Sequence, residues 1–459
     1  MTTPMPDIAL RFPAPLDHGF TPCALWNRAV IAAAQHPVPL VIAVEGEDGR
    51  ISRHETVISA EPDAEALRFA ERLVKLLLWA RGGWRVVIGG PVGVAEHVRT
   101  IYREGGARAF DADMMQRVYG HRFTVEDCAA EAVPVAREKS AAHGGHLDGC
   151  RIGFDLGASD FKLAAVHNGV MVWSHEIPWD PKNQAAPAYH YQHLADGLRL
   201  AASHLPRVDA IGGSSAGVIV NNRFMVASLL RSVPPEKFEE ARGIFQRLQR
   251  EWNIPLEVAN DGDITALAGA MSLSENGVLG VAMGSSEAAG YLNMEGRMTG
   301  WLTELAFAPV DMNPDAPPDE WSGDHGVGAL YFSQQAVNKL LPAAGIILPA
   351  EMGLPERLKE VQSLMSTGDE RAARIYETVG TWLGYTVPHY ADFYDFRHLL
   401  ILGRVTTGPG GDIILARARE VLASEFPDLA VRINVQLPDE KSRRVGQAVA
   451  AASLPAIGA

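Results

Sequence analysis

The segment 151–166 combines a carboxylate, a glycine and a hydroxyl between two apolar stretches. An apolar strand ends in Asp155, a tight turn carries Gly157 and Ser159, and a second apolar strand contains Lys162. Such a hairpin places a carboxylate and several backbone N–H groups at one tip, where N–H dipoles attract anions and a carboxylate oxygen suits Mg²⁺. Such a tip can hold a metal-bound phosphate. The alternative is an ordinary hairpin whose Asp and Gly only form the turn.

A second polar cluster follows the predicted strand 256–259. Asp261 would lie at the carboxyl end of that strand, where α/β folds place their ligands. A carboxylate there can accept a proton from a substrate hydroxyl. A helix of small residues begins at the same point, so capping of this helix by Asp261 or Asp263 is the structural alternative.

Three more segments follow in chain order. Residues 280–290 form a predicted strand, turn and strand, which could present further N–H groups to a phosphate. Residues 300–311 carry Glu304 in a mostly apolar context. Residues 400–411 form a predicted strand-to-helix turn, where a nucleoside could lie against the backbone.

Length and composition describe a globular chain with more than one domain. At 459 residues the chain is too long for one compact core, so we expect two or three domains. Hydrophobic residues make up 47% and charged residues 21%, as is usual for soluble proteins. The formal net charge of −14 argues against a nucleic-acid partner held by broad electrostatics.

The cysteines and the lengths of the apolar runs indicate the cellular compartment of the protein. Cys23, Cys128 and Cys150 are widely spaced and form no CxxC pair, so neither a structural zinc site nor a disulfide framework is expected. No apolar run reaches the length of a membrane span, and we recognise no signal peptide. These features predict a cytoplasmic protein with reduced thiols and no membrane partner.

The first third of the chain predicts an α/β module over residues 1–138. Residues 38–60 predict a hairpin, Asp63 follows Glu61 and Pro62 at the start of a predicted helix, and residues 84–88 predict a strand. A Gly-rich turn then precedes Arg108, Asp111 and Asp113. These three residues could reach into a ligand cleft, or could form an ordinary loop and helix start.

A small, polar, Gly-containing segment predicts a linker over residues 139–150. Its His143 and His146 could be metal ligands or simply solvated linker residues. After the linker, strand and helix patterns alternate, and residues 237–252 predict one amphipathic helix. This alternation predicts layered α/β lobes.

The five segments, in this order, resemble the ROK family of sugar kinases and regulators within the actin-like, hexokinase-like ATPase superfamily. The family's D-L-G-x-T-x-x-K turn is similar to residues 155–162, and its N-D-A-N segment is similar to residues 260–263. Its G-E-x-G-H-x-P-V-D segment aligns without gaps to residues 303–311, and its G-x-x-G-C-x-E-x-Y-x-S run resembles residues 323–333. The closing helix resembles residues 445–452, so the resemblance covers roughly residues 150–459.

The resemblance implies a two-lobed actin-like, hexokinase-like ATPase fold with an extra N-terminal α/β module. It implies a small lobe of residues 151–270 plus 441–459, a large lobe of residues 271–440, and a homodimer. It also implies Mg²⁺–ATP-dependent phosphotransfer to a hydroxyl of a sugar or similar polyol. Asp261 would be the general base, and Asp155 would orient the metal indirectly. The other implied contacts are Gly157, Ser159, Lys162, Gly284, Ser285, Gly403 and Arg404 to the nucleotide and its phosphates, and Asn260 and Glu304 to the acceptor.

The chain departs from the family at positions that matter for chemistry. The family's metal-ligating, sugar-binding His is Phe307, one zinc Cys is Val327, and the other zinc cysteines fall within residues 312–322, which contain none. Phenylalanine offers no lone pair, so no zinc is expected. The family's second sugar-binding Glu is Ala329. A polyol site needs several fixed polar partners, so these losses predict altered or abolished hexose recognition.

The predicted phosphate turn is also altered, because Ser286 and Ala288 replace glycines of the family's G-T-G-x-G. Glu287 could repel phosphate or help to bind Mg²⁺. These departures leave open an alternative, a ROK-like sugar- or nucleotide-binding regulator or ATPase without kinase activity. The retained Asp155 and Asp261 favour the kinase, and no DNA-binding helix pair is recognisable in the N-terminal module.

Overall fold

The computed structural model describes residues 8–138, 144–157, 160–438 and 440–458, and for residues 440–445 it describes only the backbone. Ser159 and the linker residues 139–143, including His143, lie outside the described residues.

The elements are given in chain order. Up to residue 138 they are α1 (Cys23–Ala32), β1 (Pro37–Glu45), β2 (Ile51–Ser59), α2 (Ala64–Arg81), β3 (Arg85–Gly89), α3 (Val94–Tyr102), α4 (Ala109–Tyr119) and β4 (Thr124–Cys128). From residue 144 to 299 they are β5 (Cys150–Leu156), β6 (Asp160–His167), β7 (Val170–Pro178), α5 (Pro187–Ala202), β8 (Ala210–Ser215), β9 (Val218–Val220), β10 (Arg223–Val226), α6 (Phe238–Arg242), α7 (Ile244–Trp252), β11 (Leu256–Asn260), α8 (Asp261–Leu273), β12 (Val278–Met283) and β13 (Glu287–Leu292). The remainder are α9 (Gln334–Leu340), α10 (Leu354–Ser366), α11 (Glu370–Ala391), β14 (His398–Leu402), α12 (Pro409–Glu425), α13 (Pro427–Arg432), β15 (Asn434–Gln436) and α14 (Glu440–Ala452).

The chain forms two compact units. Unit 1 comprises Met1–Lys139, Val281–Ala289 and Gly300–Leu437, and unit 2 comprises Ser140–Gly280, Gly290–Thr299 and Pro438–Ala459. The N-terminal segment thus belongs to the same compact unit as residues 300–437. The lobe boundaries drawn from the sequence stay a prediction.

Unit 2 is built on a five-stranded sheet in the order β11-β8-β5-β6-β7. β8 lies between β11 and β5 and runs parallel to both, whereas β6 pairs antiparallel with β5 and with β7. Side chains alternate between the two faces of a strand. Ile152, Phe154 and Leu156 of β5 therefore share one face, where they join a core with residues of α5 and α7. Gly153 and Asp155 share the opposite face, against which α14 packs.

Two strand glycines let α14 approach the sheet closely. A Cβ at Gly153 would overlap the carbonyl oxygen of Ala448, and a Cβ at Gly212 would overlap that of Ala451. Arg151, buried at the start of β5, ties the same region together, because its guanidinium donates to the carbonyl of Pro455 at 2.7 Å. The carboxyl-terminal helix is therefore fixed to the strand pair that carries the predicted site.

We expect Gly212→Ala to destabilise unit 2 by about 2 kcal/mol, since overpacking a fixed backbone contact costs about 1–3 kcal/mol. Thermal unfolding of the variant and the wild type would measure the loss. Gly243→Ala is the matched control, because a Cβ there has its nearest neighbour at 3.6 Å. Equal unfolding temperatures for Gly212→Ala and Gly243→Ala would contradict the described packing.

Unit 1 contains the sheet β2-β1-β3-β4, in which β1 pairs antiparallel with β2 and β3. This arrangement confirms the predicted N-terminal hairpin. The predicted helix after Glu61 and Pro62 is also confirmed, because Asp63 caps α2 by accepting from the N–H of Ala66 at 2.9 Å. A second sheet has the order β13-β12-β14-β15. None of the described helices has the length and apolar content needed to cross a membrane.

One helix prediction was wrong. The single helix expected over residues 237–252 is divided into α6 and α7 at Gly243, whose φ of −87° and ψ of 7° are not helical. Glycine weakens a helix interior because its backbone loses the most freedom on ordering.

Candidate active site

The predicted carboxylates lie at one edge of the unit 2 sheet. β5, β8 and β11 run parallel, and their register places Asp155 beside Ser214 and Ser214 beside Ala259. The three strands end together, and α8 begins at Asp261 directly after β11. Carboxyl ends of parallel strands are where α/β sheets bind ligands.

Asp155 is a buried carboxyl with a fixed neighbour. Its side chain is only 6% exposed, and its Oδ1 accepts a hydrogen bond of 2.7 Å from the Ser214 hydroxyl. Burial raises the pKa of Asp155, while the Ser214 hydrogen bond and the Lys162 cation lower it and Asp160 raises it further. The carboxylate is therefore held in one orientation on the sheet face that α14 covers.

Gly157, two residues after Asp155, has hydrogen-bond partners for both its N–H and its carbonyl. The N–H of Gly157 donates to the carbonyl of Asp160 at 3.0 Å, and the carbonyl of Gly157 accepts from the Trp179 indole at 2.9 Å. Lys162 is exposed and lies opposite Asp155 on β6, with its Nζ 3.7 Å from Asp160. The Lys162 cation is suited to meet an anion.

Asp261 has a raised pKa. Desolvation by the surrounding protein raises the pKa of Asp261 to about 6, with the negative charge of Asp155 as the next contribution. Hydrogen bonds from the N–H of Gly262 and from Asn260 act in the opposite direction. Such a carboxyl is mostly ionised at neutral pH yet more basic than an ordinary aspartate, which suits a general base.

The first turn of α8 is braced around Asp261. The carbonyl of Asp261 accepts from the Thr265 hydroxyl at 2.8 Å, and Gln447 of α14 donates to Thr265 at 2.6 Å. A Cβ at Gly290 would overlap the carbonyl of Gly262, so β13 passes close to the same turn. Asp261 is thus positioned by backbone and side-chain contacts at the start of α8.

Asn260, predicted to hold the acceptor, has structural partners. Its Oδ1 accepts from the N–H of Gly262 at 2.7 Å, and its Nδ2 donates to the carbonyl of Gly217 at 2.9 Å. These bonds make Asn260 the N-cap of α8. Asp261 Oδ1 accepts from the same N–H at 3.0 Å, so Asp261 takes part in this capping interaction, as its structural alternative predicted. Acceptor contact by Asn260 stays a prediction.

The other predicted nucleotide contacts belong to unit 1. The N–H of Gly284 bonds to the carbonyl of Ser286 at 3.0 Å, and Ser285 is exposed at the tip of this turn. Gly403, with φ +98°, packs so closely on Met283 that a Cβ would lie 2.5 Å from its carbonyl oxygen. Arg404 is exposed beside it. The structure thus brings the two predicted nucleotide turns of this unit together.

Glu304 and Glu287 form a pair of acids in unit 1. Glu287 is 3% exposed, its Oε1 accepts from the Tyr390 hydroxyl at 3.2 Å, and its Oε2 has no hydrogen-bond partner. Burial raises the pKa of Glu287 to about 8, with Glu304 adding to the rise and Tyr390 opposing it. If Glu287 is protonated at neutral pH, it would neither repel a phosphate at the turn nor supply a charge for Mg²⁺.

The elements described above define an α/β fold, and this fold is similar to that of solved ROK structures. No family model matches the chain, and no curated protein matches it. Among solved structures, the chain is similar to a ROK hexokinase from Thermus thermophilus, with 16% identity and a TM-score of 0.51 over 66% of this chain and 97% of that chain. It is also similar to a ROK family transcriptional regulator, a homolog of the E. coli MLC protein, with 16% identity and a TM-score of 0.52 over 67% of this chain and 79% of that chain. The predicted resemblance to the ROK family is thereby confirmed in the fold.

The N-terminal segment contains a buried charge cluster that the sequence did not predict. Arg108 and Asp111 lie at the start of α4, as the helix-start alternative predicted. Asp111 is buried and accepts from Lys75 at 2.8 Å and from the Trp79 indole at 2.9 Å. Arg108 lies 2.8 Å from Asp324. The available signal was Lys75, a charged residue within the apolar run 73–78 of α2, where an unpaired charge is costly.

Proposed function

We propose that this chain is a divergent ROK-type kinase that transfers a phosphoryl group from Mg²⁺–ATP to a hydroxyl of a sugar or similar polyol. The observation that carries the proposal is the pair formed by Asp155 and Asp261 at one sheet edge, with the pKa of Asp261 raised to about 6. Phosphoryl transfer needs positioning and electrostatics more than covalent chemistry, and this pair supplies a fixed base beside a fixed metal-orienting carboxylate.

Each predicted residue has a role in the proposal. Asp261 accepts the proton of the acceptor hydroxyl, and Asp155 orients the cation and phosphates. Glu304, with Asn260, hydrogen-bonds the acceptor. The remaining contacts to phosphate and nucleoside are assigned to Gly157, Ser159, Lys162, Gly284, Ser285, Gly403 and Arg404.

The donor set fits Mg²⁺–ATP. Among the described residues, no group of three or more His, Cys, Asp or Glu side chains could hold a metal ion by itself. Mg²⁺ usually takes one or two carboxylates together with phosphates and water, so Asp155 with a polyphosphate meets its needs. Bound Mg²⁺–ATP would supply the phosphoryl group and offset the repulsion through which Asp155 raises the pKa of Asp261.

A non-catalytic sugar or nucleotide sensor is the second candidate. This candidate is favoured by four positions at which the family resemblance implies a polar residue or a glycine. They carry Phe307, Ala329, Ser286 and Ala288 instead. The chain is as similar in fold to the ROK regulator structure as to the ROK hexokinase structure, which also supports this candidate. A cytoplasmic location and a homodimer remain predictions for either candidate.

Thermal-shift titration tests the two candidates on the intact chain. The kinase predicts stabilisation by Mg²⁺–ATP, since a ligand that binds only the folded state raises its stability by mass action. It also predicts sugar-dependent release of ADP from a panel of hexoses and polyols. Stabilisation by sugars, with neither a nucleotide shift nor ADP release, would replace the kinase by the sensor.

A further inference from the structure

One face of helix α2 is directed to residues 302–325. Arg68, Arg72, Lys75 and Trp79 are spaced by four, three and four residues, which places them along one side of a helix. Arg68 donates to the carbonyl of Met312 at 2.6 Å, and Arg72 to Asp324 at 2.6 Å. All of these residues belong to unit 1.

Buried charges along this face are compensated. Lys75 is fully buried, with its Nζ 2.8 Å from Asp111 and 3.2 Å from Asp324. Asp324 also forms ion pairs with Arg72 and Arg108. Burial by itself would raise the pKa of Asp324, but these three cations hold it well below the usual range. Removing one partner of such a buried cluster leaves a charge unpaired, so the cluster fixes the separation of α2 and Asp324.

The last turn of α2 binds the chain on either side of Thr303. The N–H groups of Leu302, Thr303 and Glu304 donate to the carbonyls of Arg81, Ala80 and Trp79 at 3.2, 3.1 and 2.9 Å. The last carbonyls of a helix lack partners within the helix, so these bonds satisfy groups that α2 must expose. Thr303 is 2% exposed and has φ +47°, a conformation that a β-branched residue keeps only when its surroundings impose it.

The ring of Trp79 completes the contact. Its centroid lies 4.4 Å from that of Phe307, and Phe110 of α4 packs on Phe307 at 5.5 Å. The same Trp79 therefore holds Glu304 through its carbonyl and Phe307 through its ring.

We propose that helix α2 positions Glu304, the carboxylate that would bind the acceptor. Trp79, Lys75 and Arg72 act on Glu304 through the segment 302–307. This inference rests on the proposed function for its kinetic consequence. It assigns to the N-terminal segment a part in acceptor binding rather than a separate ligand.

The test uses the full chain with Trp79→Leu, Trp79→Phe and a matched control, Trp84→Leu. Trp84 lies in the same unit and stacks on His121 at 4.6 Å. Trp79→Leu removes both the ring contact and the indole donor, and the milder Trp79→Phe keeps a ring if the first variant fails to fold. Amide hydrogen exchange of residues 302–304 and steady-state kinetics with a panel of sugars are the two readouts.

We expect Trp79→Leu to speed amide exchange at residues 302–304. We also expect it to raise the acceptor KM by about tenfold to a hundredfold, because misplacement of a binding group by about 1 Å has effects of this size. The kcat and the KM for ATP should be nearly unchanged. Trp79→Phe should be intermediate and Trp84→Leu should match the wild type. Unchanged exchange in a folded Trp79 variant overturns the positioning role, as does an unchanged acceptor KM. A wild type without sugar turnover removes the proposed function instead, and exchange then decides alone whether α2 holds the segment.

Discussion

Asp261→Asn is expected to lower kcat for sugar phosphorylation by about 10²- to 10⁴-fold, the usual contribution of a general base. The amide has nearly the shape of the carboxyl but cannot accept the hydroxyl proton. ATP binding should survive, because Asp155 and the Gly157 turn are unaltered. Coupled measurement of ADP release, with a thermal-shift titration of ATP on the same variant, separates the two effects.

The pH profile gives the same prediction an internal check. The pKa of Asp261 is raised to about 6, and the base must be ionised to act. Wild-type kcat/KM should therefore fall as the pH drops through about 6, and the residual activity of Asp261→Asn should lack this limb. Asp369→Asn is the control, since Asp369 caps α11 and Asn caps equally well. If Asp261→Asn kept wild-type turnover, Asp261 could not be the base.

Glu287→Gln is expected to make the protein less sensitive to alkaline pH. The folded state raises the pKa of Glu287 from 4.5 to about 8, so it binds the proton more tightly than the unfolded state. The stability linked to this proton is present below pH 4.5 and is lost as the pH rises through about 8. One pKa unit corresponds to about 1.4 kcal/mol, so the rise from 4.5 to about 8 sets the largest possible loss at about 5 kcal/mol.

Unfolding temperatures at pH 5, 7 and 9 would measure this effect for the wild type and the variant. The quantity to compare is the change with pH, because the substitution Glu287→Gln alters packing at every pH. Glu360→Gln on the exposed side of α10 is the control. Parallel pH profiles for the wild type and Glu287→Gln would show that Glu287 is ionised in the folded state, and would contradict its neutral, inward-facing role.

Local patterns in the sequence were enough to predict that Asp155 and Asp261 lie at one edge of the unit 2 sheet. Asp155 and Asp261 each follow an apolar strand, and parallel strands bring their carboxyl ends to one edge. The role of Asn260 was harder to predict, because a cap and a ligand contact use the same side-chain atoms. The break at Gly243 was missed because the amphipathic period continues across it.

Long-range contacts explain what the sequence did not reveal. The buried Arg72 and Lys75 find their partner in Asp324, about 250 residues further along the chain, and no local pattern signals such a pairing. Likewise, Glu287 was expected beside a phosphate because of its place in a turn. Its side chain instead bonds to Tyr390, which a strand-by-strand interpretation could not anticipate.

The close packing of α14 on Gly153 and Gly212 has a consequence for folding during translation. The strands that carry these glycines leave the ribosome well before Ala448 and Ala451, the residues against which the glycines pack. Until then one side of the unit 2 sheet stays uncovered, a state in which nascent chains are prone to aggregate. The sheet edge that carries Asp155 and Asp261 should therefore reach its final packing only after α14 has been synthesised.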